Sequence, residues 1–322
     1  MSGNYRVLAA GAALLVLAAC QDSTPSSLAG DSDASAAFTK SAGRSPAAAA
    51  ADQAIRDVMA AANAVLEVAG APYRVWQAEW YAGPGADADG MGQLLFFADV
   101  GNKRLSQDFV PDDPRRAWSP NPGEITYLID RSDLTADIAA ADAEAAVDRA
   151  MATWAAVACA PVPFRKVADD GSDPDVVDGF LGFGGFGTPR ADITHAGWST
   201  AAALAPPILG ATFTLIFVDG SGNPTDINRD GRLDTAFREI YYDDAYPWAI
   251  NSDIDVESVA LHEAGHGLSQ AHFGAAFVTL ANGALHFSPL AVMNAGYYTV
   301  SQVLQGTDIA GYCTNWGNWP NG

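Results

Sequence analysis

One eleven-residue stretch constrains this chain more than any other. It runs from His262 to His272 and reads His-Glu-Ala-Gly-His-Gly-Leu-Ser-Gln-Ala-His. On an α-helix, residues four apart lie one turn above each other, so His262 and His266 can present two imidazole nitrogens to a single metal ion. His272 becomes a third ligand if the chain turns back after Gly267. Three protein ligands leave one position open for water, which is typical of a catalytic zinc site.

Glu263 directly follows the first histidine. Its carboxylate can reach the water that such a metal activates while staying out of the coordination sphere, which makes Glu263 a candidate general base. The alternative is a core helix with incidental histidines. Three of the five histidines in the chain lie within these eleven residues, and this clustering favours the metal site.

The stretch resembles the zinc-binding consensus of the metzincins, a clan of zinc proteases. Residues Val292 to Tyr297 resemble the methionine turn that follows this consensus in the clan. The resemblance implies a zinc ion held by the three histidines, with Met293 as an apolar base that does not ligate the metal. One departure is Ser269, which stands where the clan has a glycine of positive φ; there a residue with a Cβ costs about 1–2 kcal/mol.

The pattern upstream of the motif predicts alternating strands and helices. A strand is expected at Ile125 to Asp130, and a helix between Leu134 and Val157, where Val147, Met151 and Trp154 lie on one apolar stripe. Further strands are expected at residues 162–167, 191–198, 212–218 and 238–242. The helix of the zinc motif is expected to begin at Ser252 or Asp253, because Ser252-x-x-Asp255 is a capping pattern.

Within the clan, this order of elements is most similar to that of the matrixins. The resemblance implies a zincin-like α/β (α+β) fold with a twisted, mixed five-stranded sheet. A backing helix, an active-site helix and a small C-terminal subdomain with the methionine turn complete the expected fold. By the same resemblance, the strand at 212–218 is the sheet edge that binds an extended substrate through its backbone.

The first nineteen residues combine a short region carrying Arg6 with an apolar run that is too short to span a bilayer as a mature helix, as in a secretory signal. The run ends Leu17-Ala18-Ala19-Cys20, which resembles a bacterial lipobox. We therefore expect Cys20 to be lipidated and the protein to be an exported lipoprotein, anchored to a membrane by its lipid at the periplasmic face or cell surface. A plain signal peptide is the alternative.

Composition divides the rest of the chain. Residues 20–70 are rich in small and polar residues and are expected to form a flexible tether that contains a short alanine-rich helix ending at Gly70. Residues 71–123, with strand-like runs at 73–76 and 94–97, are expected to be a small N-terminal extension or a latency element, and residues 124–322 the catalytic domain. The formal net charge of −21 makes nucleic acid an unlikely partner by simple repulsion. The oligomeric state is not indicated by the sequence.

A second candidate metal site lies between two predicted strands. The sequence there fits the first nine positions of an EF-hand-type calcium loop, with candidate ligands Asp226, Asn228, Asp230, the carbonyl of Arg232, and Asp234. Phe237 occupies the twelfth position, where such loops have a bidentate glutamate. A Ca²⁺ site and a solvated polar turn are both compatible with this pattern.

Two cysteines remain once Cys20 is set aside. In an oxidising compartment Cys159 and Cys313 are expected to form a disulfide between the end of the first predicted helix and the C-terminal tail. His195 and His286 are isolated from the motif, so no second histidine-rich zinc site is expected.

The resemblance implies a zinc-dependent endopeptidase that acts on proteins or peptides. Two alternatives stay open: a zinc hydrolase of another substrate class, and a surface lipoprotein that binds zinc without catalysis. Glu263 speaks against the second alternative, because a site that only binds zinc has no need of a base beside the water.

Overall fold

The computed structural model describes residues 45–86, 91–96, 107–118, 121, 123–181, 187–279, 281 and 284–320. These residues form a mixed α/β structure in which helices cover both faces of one sheet. The predicted signal peptide, Cys20 and the first part of the predicted tether lie outside them. Within the described residues, no helix is both long and apolar enough to cross a membrane.

Five helices and twelve strands follow each other along the described chain. The helices are α1 (Pro46–Val68), α2 (Ala140–Ala155), α3 (Asp178–Leu181), α4 (Val256–Gly267) and α5 (Gly306–Trp316). The strands are β1 (Tyr73–Ala82), β2 (Gln93–Phe96), β3 (Gln107–Asp108), β4 (Ile125–Ile129), β5 (Phe164–Lys166), β6 (Ile193–Ser199), β7 (Ile208–Phe217), β8 (Leu233–Asp243), β9 (Trp248–Ala249), β10 (Ile254–Asp255), β11 (Ala275–Val278) and β12 (Leu285–Ser288).

The main sheet has the strand order β2-β1-β7-β8-β6-β4-β5, with β3 also paired to β8. Strands β5, β4, β6 and β8 run parallel, whereas β7 is antiparallel to β8 and β1 is antiparallel to β7. The expected sheet of five strands has too few, because the described sheet has eight strands. Strands β1, β2 and β3 come from the segment that was expected to be an N-terminal extension or a latency element.

Strand β1 is longer than its sequence pattern predicts. The predicted strand stops near Trp76, whereas β1 continues to Ala82 past a register shift between Val75 and Gln77. Gln77 and Glu79 are only 1% exposed although both are polar. A pattern of polar residues is interpreted as solvent-facing, so the second half of β1 was missed.

Each face of the sheet has its own apolar core. On one face α2 and α4 pack against the sheet, and the predicted stripe of Val147, Met151 and Trp154 is fully buried there. On the other face α1 packs against the strands. Successive residues of β1 show the alternation: Trp80 belongs to the α1 side and Tyr81 to the α4 side.

Helix α1 lies on the sheet. The Ser45 side chain accepts a hydrogen bond from Ala48 N at its start, and Gly70 follows its end at φ 65°. Ile55 and Leu66 are fully buried, which contributes about 2 kcal/mol each. Asn63 bonds β1 twice, since its Nδ2 donates to Val75 O at 2.8 Å and its Oδ1 accepts from Val75 N at 2.7 Å.

The helix of the zinc motif begins three residues later than its sequence predicts. Asp255, not Ser252, is its N-cap, and the Asp255 carboxylate accepts a hydrogen bond from Ser258 N at 2.9 Å. Asp255 itself belongs to β10, so the short strand occupies the residues that the capping pattern assigned to the helix. Every residue of α4 is buried, as expected of a helix enclosed by other elements.

A disulfide joins Cys159, just after α2, to Cys313 on α5. It closes a loop of 154 residues and fixes the C-terminal helix to the end of α2. Such a bond persists in oxidising compartments, and it is consistent with export.

Candidate metal centre

Three histidine side chains meet at one point. His262 and His266 lie one turn apart on α4, and their Nε2 atoms are 3.0 Å apart. His272, beyond the helix, places its Nε2 3.1 Å from that of His266. His262 and His266 are buried and His272 is partly buried. The structure thus brings together all three histidines that the sequence assigned to a metal site.

The turn that returns His272 to the helix depends on Ser269. Helix α4 ends at Gly267, and Ser269 has a φ of 63°, a left-handed conformation that disfavours residues with a Cβ. The Ser269 side chain also has a partner, because Arg238 Nη2 donates to its Oγ at 2.9 Å. Asn315 Nδ2 donates to the Ser269 carbonyl at 2.8 Å. A buried hydrogen-bond network therefore supports the strained residue.

Backbone carbonyls orient two of the imidazole rings. His262 Nδ1 lies 2.7 Å from Val292 O, and His266 Nδ1 lies 2.8 Å from Gln270 O. A carbonyl only accepts, so Nδ1 carries the proton in each ring and the Nε2 lone pair is free for a metal. Burial and the neighbouring His266 lower the pKa of His262, and burial with the same neighbour lowers the pKa of His272.

Glu263 is placed beside the histidines and away from solvent. It is fully buried, and its Oε2 accepts a hydrogen bond from Thr212 Oγ1 on β7 at 2.6 Å. Its Oε1 has no hydrogen-bond partner among the described residues. Burial raises the pKa of Glu263 to about 7, although the charge of His266 and the Thr212 bond oppose the shift. A carboxylate of this kind suits a general base.

Two glycines create the room that this arrangement needs. A Cβ at Gly210 on β7 would lie 2.6 Å from Glu263 Oε1. A Cβ at Gly265 on α4 would collide with the sulfur of Met293. Met293 therefore lies directly against the helix that carries His262 and His266.

The backbone around Met293 is held by one acidic residue of α5. Asp308 is buried, and its two oxygens accept hydrogen bonds from Val292 N at 2.9 Å and Met293 N at 3.1 Å. Val292 O is the carbonyl that orients His262. Asp308 thus fixes the orientation of His262 through the turn between them.

Strand β1 lies across the candidate centre. The Tyr81 ring stacks on the His262 ring at a centroid distance of 3.7 Å. Glu79 Oε2 lies 3.1 Å from His266 Nδ1, and Glu79 Oε1 has no hydrogen-bond partner in the described structure. Burial opposes the charging of His266, but the carboxylates of Glu79 and Glu263 outweigh burial and raise its pKa.

The backbone of β1 is bonded on both sides of the centre. It pairs with β7 from Tyr73 opposite Phe217 to Ala82 opposite Ile208. Beyond the methionine, Ala82 N donates to Ala295 O at 3.2 Å and Tyr297 N donates to Ala82 O at 2.7 Å. The expectation that β7 forms the free edge of the sheet is wrong, because β1 occupies that edge.

The donor set fits zinc. Three imidazole nitrogens are typical zinc ligands, and backbone carbonyls that orient two of the rings are common in zinc sites. The Glu263 carboxylate is close enough to His266 for their charges to interact. A soft or purely oxygen-binding metal suits this set less well.

The loop that resembles an EF-hand is held by its own contacts. Asp226 accepts hydrogen bonds from Asp230 N and Gly231 N, and Asn228 and Asp230 are exposed. Asp234 is paired with Arg115 at 2.6 Å. Phe237, at the twelfth position, is buried in the core on the α1 side. Calcium binding by this loop stays a prediction.

The two remaining histidines are apart from the centre. His195 is buried on β6, where its Nδ1 lies 2.8 Å from the Tyr242 hydroxyl, and burial lowers its pKa to about 3. His286 lies on β12, next to Phe277. Neither joins a group of metal-ligating side chains within the described residues.

The sequence was compared with protein families and with curated proteins. No known protein family matches the chain, and no curated protein is significantly similar to it.

Sequence reasoning missed several residues around the centre. Glu79 and Tyr81 lie nearly two hundred positions before the motif, and nothing in their local pattern connects them to it. Thr212 bonds Glu263, and Asp308 bonds the backbone of Val292, only because the fold brings their elements together. Asp308 carried one usable signal, since a capping box with Gln305 marks the start of α5.

Proposed function

We propose that this protein is a zinc-dependent endopeptidase of the metzincin type, most similar to the matrixins. The observation that carries the proposal is the convergence of three imidazole Nε2 atoms within 3.1 Å of a neighbour, beside the buried carboxylate of Glu263. His262, His266 and His272 would hold the zinc ion. When bound, zinc supplies Lewis-acid chemistry, since it acidifies a water molecule and polarises a carbonyl oxygen.

Glu263 moves the proton in this reaction. Thr212 fixes Oε2, which leaves Oε1 to take a proton from the attacking water. The water oxygen forms a bond to the carbonyl carbon, and the bond between that carbon and the amide nitrogen breaks. Glu263 then delivers its proton to the leaving amine, so the carboxylate ends the cycle ionised as it began.

The support for a polypeptide substrate comes from β1. This strand lies in extended form between β7 and residues 295–297, with backbone hydrogen bonds to each. The two walls therefore accept an extended backbone that passes directly over the histidines, as a substrate must for cleavage within a chain. The occupant in this structure is a part of the protein itself.

It follows that β1 keeps the enzyme latent. A substrate strand and β1 cannot both pair with the same edge of β7. Tyr81 and Glu79 also cover the imidazoles of His262 and His266. Hydrolysis of other proteins thus requires β1 to leave its place, whether through cleavage of the chain or through transient opening.

The test uses the full chain in four zinc-loaded forms: wild type, the double variant E79A/Y81A, that double variant with E263A added, and R74A as a control. Arg74 lies on β1, and its side chain donates to Ala71 O and Tyr73 O, at the opposite end of the strand from Glu79 and Tyr81. Internal cleavage of casein and of a peptide library is measured by mass spectrometry, with zinc content and thermal unfolding measured alongside.

We expect E79A/Y81A to cut internal bonds faster than wild type or R74A, and E263A to abolish this cleavage while zinc stays bound. A folded, zinc-loaded E79A/Y81A protein that cuts nothing, even after a second protease has cleaved the chain between β1 and β4 so that β1 can leave, would exclude the endopeptidase. Cleavage that survives E263A would exclude the assigned base. Zinc binding without hydrolysis in any form would favour the non-catalytic alternative, which the closed site also fits.

A further inference from the structure

A second group of side chains of the kind that bind metal ions lies at the end of β4. We define the acidic cluster as Asp130, Asp173, Asp175 and Asp178. Asp130 directly follows β4, Asp173 and Asp175 lie in the loop after β5, and Asp178 is the first residue of α3. One carboxylate oxygen from each of Asp130, Asp173 and Asp175 lies within 4.8 Å of the others.

Three members of the cluster, Asp130, Asp175 and Asp178, are buried and have carboxylate oxygens without the partners that buried carboxylates need, whereas Asp173 is partly exposed. Asp175 and Asp178 are fully buried, and none of their four side-chain oxygens has a hydrogen-bond partner among the described residues. Asp130 is 1% exposed; its Oδ1 accepts from Ser132 N and Oγ, while its Oδ2 also has no partner. A buried charge without a partner is strongly unfavourable unless a cation is present.

The electrostatics of the cluster are those of like charges that face each other. Burial raises the pKa of Asp175, and the neighbouring carboxylates of Glu239, Asp130, Asp178 and Asp173 raise it further. Burial, followed by Asp173 and Asp133, raises the pKa of Asp178 to about 8. No lysine or arginine is among the groups that act on these two residues.

Glu239 lies beside the acidic cluster and holds the backbone of the loop. Its oxygens accept hydrogen bonds from Val176 N at 2.7 Å, Val177 N at 2.9 Å and the Tyr241 hydroxyl at 3.0 Å. These bonds fix the backbone directly after Asp175. The loop is therefore anchored to β8 in the position that directs Asp175 toward Asp130.

We propose that the acidic cluster binds a hard divalent cation, calcium by its chemistry. The donor set consists of carboxylate oxygens, which suit Ca²⁺ rather than zinc. Calcium ligands lie about 2.3–2.6 Å from the ion, so oxygens on opposite sides of it are about 5 Å apart. The carboxylate oxygens of Asp130, Asp173 and Asp175 all lie within 4.8 Å of one another, so they are no farther apart than ligands of one ion.

The ion would clamp the loop after β5 onto the end of β4. Glu239, beside the cluster, shares the face of the sheet with Tyr241, which belongs to the core on the α1 side. The histidine centre is on the α4 side, so the cation site is independent of the endopeptidase proposal. It is also separate from the loop at 226–234.

The experiment titrates CaCl₂ into the full chain, loaded with zinc and freed of calcium. Heat of binding and thermal unfolding are measured for wild type, D175N and D178N. D170N and D230N are the matched controls, since Asp170 is a nearby exposed acid paired with Arg190 and Asp230 belongs to the other candidate loop. MgCl₂ serves as the comparison cation.

We expect wild type, D170N and D230N to bind calcium and to gain about 5 °C in melting temperature at a concentration 100-fold above Kd. D175N and D178N should lose at least about tenfold in affinity. Both should also melt at a higher temperature than wild type without calcium, because each removes one of the facing charges. If these carboxylates had only a structural role, the variants would not be more stable than wild type without calcium and also bind calcium more weakly.

Three results would overturn the proposal. One is the absence of calcium heat in wild type, which would indicate that the carboxylates share protons instead. Another is calcium binding that D230N abolishes and D175N leaves intact, which would move the site to the loop at 226–234. The third is equal stabilisation by calcium in wild type, D175N and D178N.

Discussion

The phenol ring of Tyr81 and the imidazole of His262 are stacked, with centroids 3.7 Å apart and planes inclined by 10°. One ring belongs to β1, near the N-terminal end of the described chain, and the other to the zinc motif. Their contact makes access to the histidines depend on β1.

The stacking predicts that Tyr81 limits the exchange of zinc. Y81A removes the ring that covers His262, so a chelator should extract zinc at least about tenfold faster than from wild type. Y81F keeps the ring and should release zinc at the wild-type rate. The rate is measured with a coloured chelator on protein shown by circular dichroism to be folded. Equal rates for Y81A and Y81F would show that β1 does not restrict access.

Asp308 is predicted to set zinc affinity without touching the metal. D308A leaves Val292 N, Met293 N and Gln305 N without their acceptor and should lower the free energy of unfolding by about 3 kcal/mol. Because Val292 O orients His262, zinc should also bind at least about tenfold more weakly. D308N keeps an acceptor oxygen, so its stability and zinc affinity should lie between those of wild type and D308A. Loss of stability with unchanged zinc affinity in competition titrations would reject the positioning role.

Ser269 affects stability in two opposite ways, through the strain of its backbone and through the hydrogen bond from Arg238. Two variants separate these effects. S269G relieves about 1–2 kcal/mol of strain at φ 63° but loses the hydrogen bond from Arg238, so its stability should be within about 1 kcal/mol of wild type. S269A keeps the strain and loses the bond. It should be less stable than S269G by about 1–2 kcal/mol in urea unfolding. The reverse order would mean that the turn is not strained.

The raised pKa of Asp243 predicts that the stability of the fold depends on pH. Burial raises its pKa to about 6, and Asp244 adds to the shift. The folded state therefore holds the proton more tightly than the unfolded state does, and stability falls as the pH rises from about 4 to about 6. D243N removes this titration but keeps an acceptor for Ala245 N. The unfolding free energy of D243N relative to wild type should rise across this range and stay constant above it; a flat difference would contradict the shift.

Much of the fold follows from local pattern. The strand predicted at 125–130, the buried stripe of α2 and the later strands before the motif were predicted because their apolar residues alternate or recur with helical spacing. The second half of β1 was not, because its buried polar side chains contact groups on β3 and α4 that are distant in the chain. Gln77, for example, is bonded to Gln107, thirty residues away.

The candidate metal sites also differ in how far a local sequence pattern predicts them. Spacing on one helix was enough to find His262 and His266, since four residues make one turn. The loop at 226–234 has a recognisable spacing, yet its Asp234 is paired with Arg115 from a distant segment. The acidic cluster has no spacing signature, because its members come from the end of one strand, a loop and the start of α3.

The sequence by itself determined the chemistry of the histidine centre: three imidazoles, a carboxylate beside the first and a methionine turn downstream. These features are local, so helix geometry and residue type suffice to predict them. Only the tertiary structure decided that β1 lies over the centre, that β7 is not the edge of the sheet and that four aspartates meet at the end of β4. Those relationships depend on pairing between segments far apart in the chain, and no periodicity along the sequence encodes which strand lies beside which.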